Sequence, residues 1–241
     1  MRKRALPKIP VRALVGLLVL FGIVVAWYAT PRALRRIGFF RVRQIELVGV
    51  RYLSPDSVIA ALHLRARASV FDDTGVLTTR VRRLDGVATA TVVRRPPGAL
   101  QVIVHEVPPV AFVTPPGGGA LNVVDRSGQT LPYDPGRAAL DLPIAASADS
   151  GVLGVLAVVQ AVDLNLFERI TGARVYRHGD VVLELGPRRV LLERDASPEI
   201  IRGVVQVAQD LAARGRAYTE LDARYAGQVI VRAEAGKRAG A

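Results

Sequence analysis

The residues with chemical reach are few and scattered. Three histidines, His63, His105 and His178, fall in different stretches, and none has another histidine, a cysteine or a pair of carboxylates at metal-ligand spacing. A metal site needs three or four such groups converging, so these histidines read as solvated or structural side chains. Cysteine is absent, which excludes disulfides, thiolate zinc sites and a cysteine nucleophile. Ser54 and Ser197 each precede a proline, which is the grammar of a helix start, and the Gly-x-Ser-x-Gly turn that exposes a nucleophilic serine is missing. Asp72-Asp73 is explained by helix capping. The glycines of Pro115-Pro116-Gly117-Gly118-Gly119 have no following Lys-Ser/Thr and no helix start, so they make a turn or linker and not a phosphate cradle. No nucleophile can be matched to a base, and the residues alone point to an interaction protein with no catalytic site, cofactor or metal.

The element that positions everything else is Ala13 to Thr30, a stretch without a charge. As a helix it reaches roughly 27 Å, close to the thickness of a bilayer's hydrocarbon core. A cleavable signal peptide fits poorly, because Trp27 and Tyr28 stand where small residues would precede the cut. The same aromatic pair suits the headgroup layer at the end of a span. Arg2, Lys3, Arg4, Lys8 and Arg12 precede the span, and Arg32, Arg35, Arg36, Arg41 and Arg43 follow it. The flanks balance, so the positive-inside rule leaves orientation open.

Those ten basic residues lie within the first 43 positions, where no acid occurs; of the net charge of +12, only +2 remains for the rest of the chain. The basicity is therefore juxtamembrane. Anionic headgroups explain it better than nucleic acid, since each Lys or Arg near such a surface is worth about 1 kcal/mol. No basic stripe interleaved with aromatics exists to stack bases. Salt would weaken the headgroup attraction by screening.

Behind the basic connector the pattern turns to strand. Phe39 to Gly49 alternates at Ile45 and Leu47, with a slip after Val42 that predicts a bulge. Ser54-Pro55-Asp56 opens a helix with Val58, Ile59, Ala61 and Leu62 on its apolar face. A second helix starts near Asp72 or Asp73, buries Val76, Leu77, Val81 and Leu84, and closes at Gly86. Strands Val87 to Arg95 and Leu100 to Val107 form a hairpin, and Val110 to Val113 adds a third short strand. The order β-α-α-β-β fits a small sheet with both helices on one face.

Past the glycines, a hairpin turns at Asp125 to Gly128, and Leu142-Pro143-Ile144 is extended. Gly151 to Leu166 reads as one buried helix. Strands at 173–176, 180–185 and 189–192 precede a helix opened by Ser197-Pro198-Glu199, which aligns Ile201, Val204, Val205, Ala208, Leu211 and Ala212. Leu221 to Tyr225 and Val229 to Arg232 are the last strands, and the tail from residue 234 is small and charged, as disordered ends are.

Several of these residues, in this order, resemble the bacterial FtsQ (DivIB) family of cell-division proteins. They are Phe40-x-Val42-x-x-Ile45-x-Leu47-x-Gly49, then Leu84-x-Gly86-Val87-x-x-Ala90-x-Val92-x-Arg94-x-Pro96-x-x-x-Leu100-x-Val102-x-Val104, then Glu106-Val107-Pro108-Pro109-Val110-Ala111. Val107 departs from the family pattern, in which arginine is usual at that position. Val124-Asp125-x-x-Gly128, Leu142-Pro143-Ile144 and Leu221-Asp222-x-Arg224-Tyr225-x-x-Gln228-Val229-x-Val231-Arg232 continue the likeness.

The resemblance implies an α+β fold: a single N-terminal transmembrane helix, a POTRA domain of β-α-α-β-β order, and a mixed β-rich domain with flanking helices. It implies a cytoplasmic tail at 1–12, the span at 13–30, a basic connector at 31–39, the POTRA domain at 40–114, the β domain at 115–233 and a tail at 234–241. Both domains would lie outside the cytoplasmic face of the cell membrane, at the septum. The implied function is scaffolding: binding FtsB- and FtsL-like proteins of the divisome and helping control septal peptidoglycan synthesis, with other division proteins or lipid meeting the POTRA domain and the Arg32 to Arg43 belt. An edge strand displays unpaired backbone groups to which a partner can add a strand. That edge is expected at Arg224, Tyr225, Gln228, Val229, Ile230, Val231 and Arg232, with Tyr225 as aromatic anchor and Arg224 as charge. The rival reading keeps the POTRA module but assigns it to outer-membrane assembly or polypeptide transport. Those proteins carry tandem modules or a barrel, and this sequence lacks the series of alternating ten-residue strands that a barrel needs.

Overall fold

The computed structural model describes residues 38–115, 117–134, 141–225 and 227–233, together with residues 16, 20–25 and 136. The tail at 1–12, most of the span at 13–30, Arg32, Arg35 and Arg36 of the connector, and the tail at 234–241 lie outside the described residues. Gly16 and residues 20–25 are helical, and Leu20, Phe21, Ile23, Val24 and Val25 are exposed. Among the described residues no helix is long and apolar enough to cross a membrane.

The chain divides into two compact units, one comprising Met1–Val50 and Ser54–His105, the other Arg51–Leu53 and Glu106–Ala241. In the first, the strands are β1 (Gln44–Val48), β2 (Val87–Arg95) and β3 (Ala99–Glu106), and the helices are α1 (Pro55–Ala61) and α2 (Thr74–Arg82). The sheet order is β1-β3-β2, with β1 parallel to β3. The alternation read from the sequence is realised: Ala90, Val92, Leu100, Val102 and Val104 are all buried. Gly49 ends β1 at φ +82°, where a Cβ would stand 2.2 Å from the Val104 carbonyl oxygen, so only glycine fits.

Two local expectations fail here for identifiable reasons. There is no bulge in a long first strand. Phe39 and Phe40 form a 3-10 turn, and the backbone at 40–42 pairs with the loop at 68–70: Val42 N donates to Ala68 O at 2.9 Å and Val70 N to Phe40 O at 2.9 Å. The slip in the pattern is thus a change of partner, with β1 starting only at Gln44. The helix faces are also narrower than expected. Val58, Leu77 and Val81 are buried, whereas Ile59 and Val76 are exposed. Asp73 does cap α2, accepting from Gly75 N at 2.8 Å. Arg94, quoted above for its place in the family pattern, donates to the Val70 and Asp72 carbonyl oxygens at 3.0 and 3.1 Å and so ties β2 to that loop.

The second unit holds β4 (Ala111–Val113), β5 (Asn122–Val124), β6 (Ile144–Ala145), β7 (Gly172–Val175), β8 (Val181–Leu185), β9 (Arg188–Leu192), β10 (Tyr218–Tyr225) and β11 (Gln228–Ala233). Its helices are α3 (Ser150–Val162), α4 (Leu164–Glu168) and α5 (Pro198–Ala213). The eight strands form one sheet of order β11-β10-β9-β8-β7-β6-β4-β5. The short strand at 110–113, assigned from sequence order to the first sheet, belongs to this one. It pairs with β5 antiparallel and β6 parallel, because its buried residues Val110, Ala111 and Val113 join the hydrophobic core of the second unit.

That core lies on one face of the sheet. Val181, Leu183, Val190, Leu192, Leu221 and Ala223 meet Val152, Leu156 and Val159 of α3 and Ile201, Val204 and Leu211 of α5. The helix expected from Gly151 to Leu166 is in fact two. Asp163 is extended at φ −150°, ψ 102°; its N–H donates to Val159 O at 2.8 Å to close α3, and its Oδ1 accepts from Leu166 N at 2.7 Å to open α4. At the other end of α3, Asp149 accepts from Gly151 N and Val152 N at 2.8 and 3.1 Å, and Arg194 donates to it at 3.0 Å. Burial pulls the Asp149 carboxyl up, but those donors outweigh it and hold the group below the usual carboxylate range.

Glu106 anchors the start of the second unit. Its carboxylate accepts from the backbone N–H groups of Arg51, Tyr52 and Leu53 at 2.8–3.1 Å, closing a loop that has no secondary structure of its own. Tyr133 donates to Val107 O at 2.7 Å while its ring packs 5.3 Å from that of Tyr52. Burial, then the neighbouring Glu106 charge, pushes the Tyr133 phenol up from its ordinary value.

Candidate functional site

In the sheet of the second unit, β11 is a terminal strand. It pairs antiparallel with β10 on one side only, in the register Tyr225 with Gln228, Asp222 with Ile230, Leu221 with Val231 and Glu220 with Arg232. A strand presents its N–H and C=O groups alternately to its two sides, so half of those on β11 face no strand among the described residues. The side chains divide by face. Val229 packs partly buried against the helical core, while Gln228, Ile230, Val231 and Arg232 are exposed.

Tyr225 ends β10 and is 52% exposed, as a free aromatic anchor would be. Arg224 is different. Its Nε and Nη2 donate to the two carboxylate oxygens of Asp222 at 2.8 and 2.7 Å, its Nη1 donates to Asp180 Oδ2 at 2.9 Å, and its guanidinium carbon stands 5.7 Å from the centre of the Tyr176 ring. The hydrogen bonds from Arg224 hold the Asp222 carboxyl below the usual carboxylate range, against the opposing effect of burial. The same bonds, from Asp222 first and Asp180 second, raise the Arg224 guanidinium further above its ordinary value. Arg224 thus clamps β10 to the start of β8.

Sequence reasoning passed over the acids that surround this clamp. Glu220 and Asp222 are each only 2% exposed, on the sheet face opposite the helices. Arg189 Nε donates to Glu220 Oε2, and Arg232 Nε lies 3.0 Å from Glu220 Oε1. The signal was present in Glu220-Leu221-Asp222-Ala223-Arg224, where a charge recurs at every second position of a strand.

The remaining candidates stay apart from this constellation. Arg41 and Arg43 are exposed in the first unit, where Arg43 Nη2 donates to Phe39 O at 2.9 Å. His63 sits in a loop at φ +46°, His178 within the 3-10 turn Arg177–Gly179 at φ +62°, and His105 is on β3. Ser54 and Ser197 occupy the backbone cap positions of α1 and α5 without side-chain cap bonds. Among the described residues no group of three or more His, Asp or Glu side chains could hold a metal ion.

Residues 40–106 match the POTRA domain, FtsQ-type. A protein of Rhodothermus marinus named cell division protein FtsQ is 27% identical over 242 residues, an alignment covering 92% of this chain and 85% of that protein. With the β-α-α-β-β unit in its expected place and a β-rich unit behind it, the chain carries a POTRA domain of the FtsQ type and is similar over most of its length to a cell division protein FtsQ.

Proposed function

We propose that this protein is a bitopic scaffold of the divisome that performs no catalysis. Its N-terminal tail is cytoplasmic, residues 13–30 cross the cell membrane once, and both folded units lie outside the cytoplasm at the division septum. There it binds FtsB- and FtsL-type membrane proteins and helps control septal peptidoglycan synthesis. The arginines from Arg32 to Arg43 rest against anionic headgroups, and the POTRA unit meets further division proteins. The observation that carries the partner-binding reading is the border of β11: a strand edge that pairs with nothing among the described residues, beside exposed Tyr225, Ile230 and Val231. A partner segment that adds there gains backbone hydrogen bonds for affinity and side-chain contacts for selectivity.

Successive residues of a strand send their N–H groups to opposite sides. Of Ile230 and Val231, one therefore donates toward β10 and the other toward the open side. Ile230→Pro and Val231→Pro in the full-length chain remove one donor each. Co-purification of the FtsB-like protein should fall for the variant that loses the outward donor while its thermal unfolding stays close to the parent's. Undiminished co-purification by both variants, with folding retained, rules the edge out.

A further inference from the structure

Four register positions form a row across the sheet face opposite the helices: Glu184 on β8, Arg189 on β9, Glu220 on β10 and Arg232 on β11. Their charges alternate. Arg174 Nε, reaching diagonally from β7, donates to Glu184 Oε1 at 3.0 Å, Arg189 donates to Glu220, and Arg232 Nε approaches Glu220 Oε1 at 3.0 Å. Opposite charges facing each other across strands stabilise a pairing, and like charges oppose it. At β7 the row ends on Gly172, where a Cβ would come within 3.1 Å of the Glu184 carboxylate, so the side chain of Glu184 uses the space the glycine leaves. At β11 the row meets no further facing group among the described residues. Arg232 is 62% exposed along its side chain, and two arginines share the one buried carboxylate of Glu220. Glu220 Oε1 takes no hydrogen bond despite that proximity, and the guanidinium of Arg232 makes none among the described residues.

We propose that Arg232 sets the register of the strand that adds to β11, by facing a carboxylate on the incoming segment and so extending the alternation by one position. The inference rests on the reading of β11 as the receiving edge and names the chemistry of what it receives. Beside Arg232 stand Val231 at 38% exposure and Ile230 at 44%, one on each face of the strand. The partner is therefore an extended segment with one acidic residue directly followed or preceded by apolar ones. Apolar edges alone fix register weakly, and a slip of one residue sends every side chain to the other face. A carboxylate across from Arg232 prevents this, because after a one-residue slip it would face Val231 on the helical side. Gln228–Ala233 itself contains no acid, so a second copy pairing through those residues alone would not supply it.

The test selects binders from a random library of twelve-residue peptides against the full-length chain in nanodiscs, and maps the bound peptides by amide hydrogen exchange. The expected result is slowed exchange in β11, together with enrichment of Asp or Glu at one peptide position flanked by apolar residues. Against Arg232→Gln that enrichment should disappear and acid-bearing peptides should bind about two- to fivefold more weakly. Against Arg232→Glu the preferred residue at that position should become Lys or Arg. Arg232→Gln keeps the test valid if Arg232→Glu, which places two acids opposite each other, unfolds the edge. Protection of β11 by peptides with no acidic preference, or with a preference indifferent to residue 232, overturns the inference and leaves strand addition standing. Protection confined to other segments overturns both.

Discussion

The family resemblance makes Arg224 a charge facing the partner, and its surroundings give it a structural task as well. All three of its guanidinium nitrogens donate to Asp222 and Asp180, and its side chain is 22% exposed. Removing it leaves Asp222, 2% exposed, without the group that holds it ionised. Arg224→Ala is expected to cost about 2–3 kcal/mol in chemical denaturation, the range for hydrogen bonds to a buried charge. Arg224→Lys should recover only part of this, since an ammonium cannot reproduce the fork. The pH dependence has a definite sign. The carboxyl of Asp222 has its folded pKa lowered, so its contribution is complete above the unfolded value near 4 and is lost as pH falls through the folded value. Thermal stability of the parent should therefore fall on acidification below about pH 4 more steeply than that of Asp222→Asn. Asp149 titrates in the same window and is common to both proteins, so the difference between them isolates the clamp. Only part of this is legible in one dimension. The Glu220, Asp222, Arg224 alternation is visible in the chain, but the acid at 180 that completes the clamp lies 44 residues away.

At the scale of elements, punctuation in the sequence was the dependable guide and apolar runs were not. Gly49 was read as the end of the first strand, and the Val104 carbonyl shows why the position admits no side chain. Gly49→Ala combines a steric clash with a positive φ and should lower the stability of the first unit by about 1–3 kcal/mol, measured by denaturation. An Ala substitution at Gly117, which has no neighbour within 4 Å of a Cβ, serves as the neutral control. The single acid at 163 inside an apolar run was the mark of a cap, and reading past it merged α3 with α4. Hydrophobic alternation located strands without saying which sheet takes them. The residues at 110–113 have the pattern of an ordinary buried strand, and only pairing with β5 and β6 assigns them to the second unit. Phe39 and Phe40 look like strand residues, yet their rings meet edge to face at 5.2 Å and that of Phe40 meets Phe71 in the same way at 5.0 Å, which holds the backbone in a turn.

At the scale of the whole molecule, the proposed function joins two independently described units to a membrane attachment and gives partner binding to one sheet border. The distribution of charge supports the attachment, since ten of the 33 basic residues precede position 44 and no acid accompanies them. The order of strands supports the border, because β11 closes the sequence of pairings at one end of eight strands. The decisive measurement is amide hydrogen exchange on the full chain in detergent, alone and mixed with the FtsB- and FtsL-type proteins proposed as its partners. The outward-facing amides of Gln228–Ala233 should exchange rapidly in the free chain and be strongly protected in the complex, with β8 and β9 unchanged. Equal exchange in β11 with and without bound partner would contradict the proposed function.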